Sequence, residues 1–149
     1  MLSSSNRPRS GLPLTLAGEL RVVIGKLRRR LRERADKGDL TLSQFAVLGH
    51  LDREGPATVT TLARVEGVRP QSMGATVAAL AEAGLVIGAP DPADGRQTLL
   101  RLTAPARALV KASRAAREDW LSDAIRSHLT AAEQEELARA IGLLERIVQ

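Results

Sequence analysis

Few side chains in this sequence are equipped for acid–base, nucleophilic or metal chemistry. The only imidazoles are His50 and His128, neither has a second His three or four residues away, and cysteine is absent. Without cysteine there is no thiolate nucleophile, thiol redox sensor, disulfide or thiolate metal site, and two isolated histidines offer neither a metal site nor an acid–base pair. No nucleophile elbow, glycine-rich phosphate loop or Ser/His/Asp set is visible, so an enzyme is not expected and no cofactor or metal is implied. Arginine is plentiful instead. The 149 residues carry 22 Lys or Arg against 17 Asp or Glu, a formal charge of +5, and an arginine fork matches phosphates and base edges. The charge is uneven: +6 over residues 1–40, −1 over 41–103 and 0 over 104–149. A basic chain suggests an anionic partner such as nucleic acid, although the run from Lys26 to Arg32 taken alone fits a solvated helix face equally well.

The elements that must position these groups follow from composition and spacing. Hydrophobic residues make up 44% of the chain but only Phe45 and Trp120 are aromatic, so the core is aliphatic and helices are favoured. No apolar run reaches the roughly 20 residues of a membrane span, and the Ser/Arg/Pro-rich start lacks a signal peptide's apolar centre. A cytoplasmic protein with no membrane partner is expected. Residues 1–13 read as a flexible arm and 14–149 as one domain.

Leu16, Leu20, Val23, Ile24, Leu27 and Leu31 form one stripe of a helix over about 14–35, with arginines on its other side. Thr41 with Gln44 has capping-box form and starts a second helix through Phe45, Leu48 and Leu51. A short helix runs from the threonines at 58, 60 and 61 to Glu66, and Gly67-Val68 turns the chain. Pro70 suits the first position of the next helix, whose buried stripe is expected at Met73, Val77, Leu80 and Gly84, leaving Gln71, Ser72, Ala75, Ala79 and Glu82 exposed. Residues 85–87 and 98–102 have strand composition around a turn-rich segment ending in Asp94-Gly95-Arg96. A long helix from Thr103 carries Leu109, Ala112, Ala116, Trp120 and Ala124. Thr130 with Glu133 then opens a last helix with Leu137, Ile141, Leu144 and Val148 at heptad-like spacing.

This order, a mostly α chain with a small β-hairpin wing, is the plan of a winged helix-turn-helix (41–103) with flanking helices (14–36 and 104–149). The terminal stripes lack a partner within one small domain, which points to dimerisation through Leu16, Leu20, Trp120, Leu137, Ile141, Leu144 and Val148. A symmetric dimer would present two reading helices to a pseudo-palindrome one duplex turn apart, ~34 Å.

The segments Leu40-Thr41-Leu42-Ser43-Gln44-Phe45-Ala46-Val47-Leu48, Leu62-Ala63, Val68-Arg69-Pro70-Gln71-Ser72-Met73, Ala83-Gly84-Leu85-Val86, Asp91 to Arg96 and Leu102-Thr103 resemble the MarR family of bacterial transcriptional regulators. The likeness spans residues 14–148, and its most specific element is the Asp-Gly-Arg wing tip in register with Gly-Leu-Val. It implies a homodimer whose first and last two helices interlock, and repression of a promoter relieved by a small, often aromatic or phenolic, effector. Two positions depart from the pattern: Ile87-Gly88-Ala89 puts no charge on one wing strand, and Gly74 sits early in the reading helix.

Within that plan Arg96 is the leading candidate, because an arginine at a hairpin tip enters a narrow minor groove where the negative potential is enhanced. Asp94 braces either the Arg96 guanidinium or the turn backbone. Gln71 can bond both N6 and N7 of adenine and Ser72 can serve base or phosphate, with Ala75 and Thr76 facing thymine methyls more weakly. Arg69, Arg64 and Arg101 suit phosphates, and Ser43 and Thr60 add contacts at helix starts. Phe45 and Trp120 are expected in the core rather than in an effector pocket. The competing reading is a winged-helix protein-interaction module with little DNA affinity, which the −1 charge of residues 41–103 permits.

Overall fold

The computed structural model describes residues 11–149. These hold α1 (Leu12–Arg34), α2 (Leu42–Glu54), α3 (Val59–Glu66), α4 (Pro70–Glu82), β1 (Val86–Pro90), β2 (Thr98–Leu102), α5 (Ala104–His128) and α6 (Ala131–Ile147). Most of the arm expected over 1–13 lies outside the described residues, and α1 already begins at Leu12.

The chain divides into two compact units, residues 1–34 and 35–149. The first is seen as α1, 23 residues long with none buried. In the second, threonines start four helices. Thr41 Oγ1 accepts from the Gln44 N–H at 3.1 Å while the Gln44 side chain accepts from the Thr41 N–H at 3.0 Å, and Thr130 and Glu133 repeat this reciprocal box at α6. Each pair satisfies two donors that a helix start otherwise leaves open. The Glu133 carboxyl is thereby held below its ordinary value, first by the Thr130 backbone N–H and then by the Thr130 hydroxyl. Thr58 and Thr103 cap α3 and α5.

The core gathers Val47, Leu48 and Leu51 of α2, Leu62 of α3, Met73, Val77 and Leu80 of α4, Leu100 and Leu102 of β2, and Val110 of α5. β1 and β2 are antiparallel, with Val86 opposite Leu102 and Pro90 opposite Thr98. Ala57, just before α3, exchanges two backbone bonds with Leu100, at 3.1 and 2.8 Å, which ties the start of the helix-turn-helix to the wing. The uncharged stretch at 87–89 has a steric reason at its centre: a Cβ on Gly88 would lie 2.6 Å from Thr98 Cγ2 across the strand pair.

Two expectations need correction. Gly84 is not part of the buried stripe of α4: it is exposed, with φ 74, one of the left-handed positions that glycine accepts at the end of a helix. The stripe ends at Leu80, whose carbonyl receives the Leu85 N–H at 2.9 Å. Phe45 and Trp120 are only part-buried: the α2 residues that point inward are Val47, Leu48, His50 and Leu51, and the buried residues of α5 are confined to its first half. In α5 the buried residues are Ala106, Val110 and Ser113, with Leu109 part-buried against the core and Ala112 exposed. Small Ala106 and Ser113 suit the close packing of this helix on α2 and β2.

Candidate nucleic-acid interface

α3 and α4 are joined by a turn in which Gly67, at φ 65, closes α3 in the left-handed region and the Val68 N–H reaches the Ala63 carbonyl at 3.0 Å. Pro70 then occupies the first turn of α4, and the N-cap position is Arg69, whose side chain makes no capping bond. Met73, Val77 and Leu80 anchor α4 in the core. That anchoring fixes its rotation and leaves Gln71, Ser72, Ala75, Ala79 and Glu82 exposed, as the spacing predicts. Thr76 is half-buried and its hydroxyl donates to the Ser72 carbonyl at 3.2 Å, so its hydroxyl is already engaged within the helix.

The wing tip is a turn closed by hydrogen bonds to its own backbone. Asp91 Oδ1 accepts from the Ala93 N–H at 2.9 Å and Asp94 Oδ1 from the Arg96 N–H at 3.1 Å, while the Gln97 N–H closes on the Asp94 carbonyl at 3.0 Å. Of the two braces considered for Asp94, the structure shows the turn backbone. The Arg96 side chain is exposed and has no partner among the described residues. A fixed turn carrying an unpaired guanidinium loses little freedom when that group meets a phosphate or a groove floor.

Arg64 lies in the last turn of α3, Thr60 in its first turn, Ser43 near the start of α2 and Arg101 on β2 opposite Ile87, and all four are exposed. Arg69, Gln71 and Ser72 are therefore grouped at one helix start, whereas Ser43 belongs to a different element.

Two buttresses escaped sequence reasoning. Thr103 Oγ1 donates to the Gly84 carbonyl at 2.6 Å, and Arg107 Nη1 to the Leu102 carbonyl at 2.9 Å, so the start of α5 holds both ends of the wing. Arg114 of α5 pairs with Asp52 of α2. The capping role of Thr103 and the reach of Arg107 back to Leu102, five residues earlier, are local, whereas Thr103 to Gly84 and Arg114 to Asp52 join residues distant in sequence.

A half-open cleft of about 760 Å³ lies between the end of α2, α3 and β2, lined by His50, Arg53, Thr61, Gln97 and Leu99 among others, with neither Phe45 nor Trp120 in its wall. Among the described residues no His/Asp/Glu group has metal-site geometry, and no helix is long and apolar enough to cross a membrane.

Comparison with known proteins places this geometry. A sequence profile described as the MarR family matches residues 38–97, from just before α2 to the wing tip. HTH-type transcriptional regulators of Mycobacterium bovis and Mycobacterium tuberculosis are each 39% identical over 133 residues, covering 89% of this chain and 92% of the relative. Among solved structures, a transcriptional regulator from Pseudomonas aeruginosa is 35% identical with a TM-score of 0.77, covering 94% of this chain and 98% of its own. Apo MarR from E. coli is 26% identical with a TM-score of 0.69, over 90% of this chain and 97% of its own.

Proposed function

The chain belongs to the MarR family of winged helix-turn-helix, DNA-binding transcriptional regulators, and from that premise we propose that it works as a homodimeric repressor on a pseudo-palindromic operator and is released by a small aromatic or phenolic effector. In this reading α4 enters the major groove, where Gln71 and Ser72 meet base edges with Ala75 and Thr76 behind them. Arg96 enters the flanking minor groove. Arg64, Arg69 and Arg101 hold phosphates, and Ser43 and Thr60 add contacts from helix starts.

The observation that carries this reading is the wing tip. Asp94 is committed to the backbone of the turn, and the Arg96 guanidinium is left exposed and unpaired. A protein-interaction module would have no evident need for a cation held that way. The exposed apolar residues of α6, Ile141 and Leu144 among them, support the dimer, since exposed apolar stripes at helical spacing ask for a partner helix.

The test is nuclease protection of the DNA upstream of the chain's own gene by the purified protein. Two protected half-sites with centres ~34 Å apart are expected. Absence of protection at low salt, with the protein folded and dimeric, would favour the interaction-module reading.

A further inference from the structure

The first helix carries a second pattern besides its apolar stripe. Gly18, Arg21, Gly25, Arg28 and Arg32 recur at steps of 3, 4, 3 and 4 residues and are all exposed, so they share one side of α1. At about 100° per residue, Glu19 and Glu33 lie more than a quarter turn away from that side. Arg30 is drawn off to Glu33 at 3.8 Å, whereas Arg21, Arg28 and Arg32 have no carboxylate partner among the described residues. A Cβ on Gly18 or Gly25 would meet nothing within 4 Å, so packing within the chain does not require either glycine. Each makes the helix less stable than alanine would there.

We propose that this side of α1 is a phosphate-binding surface for double-stranded DNA, additional to α4 and the wing. The inference rests on the DNA-binding reading above and deepens it. Charge complementarity selects the occupant. The winged module carries −1 over residues 41–103, and non-specific affinity scales with the phosphates neutralised, so cations must come from elsewhere if binding is strong. From Arg21 to Arg32 the row runs about 16 Å along the helix axis, at 1.5 Å per residue, or about five base-pair steps of duplex at 3.4 Å each. A second copy of the chain offers no matching acidic row, since the same-side carboxylates of α5 and α6, Asp119 with Asp123 and Glu133 with Glu136, extend over a single helical turn each. The two glycines remove side chains that would hold a sugar–phosphate strand away from the helix.

The experiment compares three full-length proteins by anisotropy on a random-sequence 30-base-pair duplex over a range of salt. These are the parent, the Arg21→Gln/Arg28→Gln/Arg32→Gln variant, and a control with the same charge change, Lys111→Gln/Arg139→Gln/Arg146→Gln. The log-affinity versus log-salt slope of the first variant is expected to be less negative than the parent's by about 2.7 for each protomer on the duplex, at about 0.9 per lost contact, with the control unchanged. Gly18→Ala/Gly25→Ala is expected to raise thermal stability and weaken duplex binding, a combination that helix propensity alone does not produce. A triple-variant slope equal to the parent's, or an equal flattening in the control, overturns the proposal. So does dissociation of a parental dimer on sedimentation, which would assign the face to a second copy. Loss of binding to phosphatidylserine vesicles with the duplex slope intact would assign it to lipid and overturn it too. If the parent itself binds no duplex, the DNA-binding reading falls along with this one; if it binds with a steep slope that the variant retains, only this inference falls.

Discussion

The winged module and the two outer helices are made from the same aliphatic residues and treat them oppositely. Leu48, Leu62 and Leu80 are wholly buried in the module, whereas α1 and α6 bury no residue at all. On α6, Ile141 is 48%, Leu144 36% and Val148 83% exposed. A helix this bare, with capping as complete as that of α6, is well formed locally and unfinished globally. Local signals decide where a helix begins; burial decides what it is for.

The strongest way to break this comparison is to charge the bare side. Leu137→Asp with Leu144→Asp is expected to abolish dimerisation and operator binding while the winged module stays folded, read by sedimentation and circular dichroism. A dimer that survives both substitutions would mean the exposed stripe is ordinary surface. The matching change in the enclosed region, Leu48→Ala, is expected to cost 2–5 kcal/mol, roughly the range for emptying a buried leucine site. Denaturant titration measures it, and a cost below about 1 kcal/mol would show a core able to collapse around the gap. A smaller effect of opposite sign is expected at Ser113, whose buried hydroxyl has no hydrogen-bond partner. Ser113→Ala should stabilise the protein by about 1 kcal/mol, because an unsatisfied buried hydroxyl is removed.

The smallest effect concerns pH. The Glu133 carboxyl titrates below its ordinary value in the folded chain, chiefly through the Thr130 backbone N–H. Its contribution is therefore complete above the ordinary carboxylate value and is lost as the pH falls through the lowered one. Amide exchange in the first turn of α6 should quicken on acidification through that range, and Glu133→Gln should remove the dependence. An unchanged pH dependence in that variant would place its origin elsewhere.

Much of this was legible in the sequence because it is local. Thr41 with Gln44, Thr130 with Glu133, Pro70 and the Asp94-Gly95-Arg96 turn act within three or four residues, and the structure shows helix starts and a turn at those places. Gly84 was misplaced because the period of a helix does not announce its last turn, and a glycine at a helix end matches the stripe as well as one inside it. The inward side of α5 has no strong signal in the sequence, because Ala106 and Ser113 are small and only the nearness of α2 and β2 selects them. The hold of Thr103 on Gly84, 19 residues earlier, is likewise a product of folding and not of local spacing. For the candidate site, the exposed side of α4 followed from the buried one, while the choice of the turn backbone as the partner of Asp94 needed coordinates.

The central claim is that an exposed, unpaired Arg96 on a backbone-locked wing acts on DNA and not on the fold. The direct measurement is operator affinity of Arg96→Ala beside its thermal melt. The account predicts a loss of about 1–3 kcal/mol in binding with the melting temperature nearly unchanged. Equal losses in binding and stability, or no loss of binding, would contradict it.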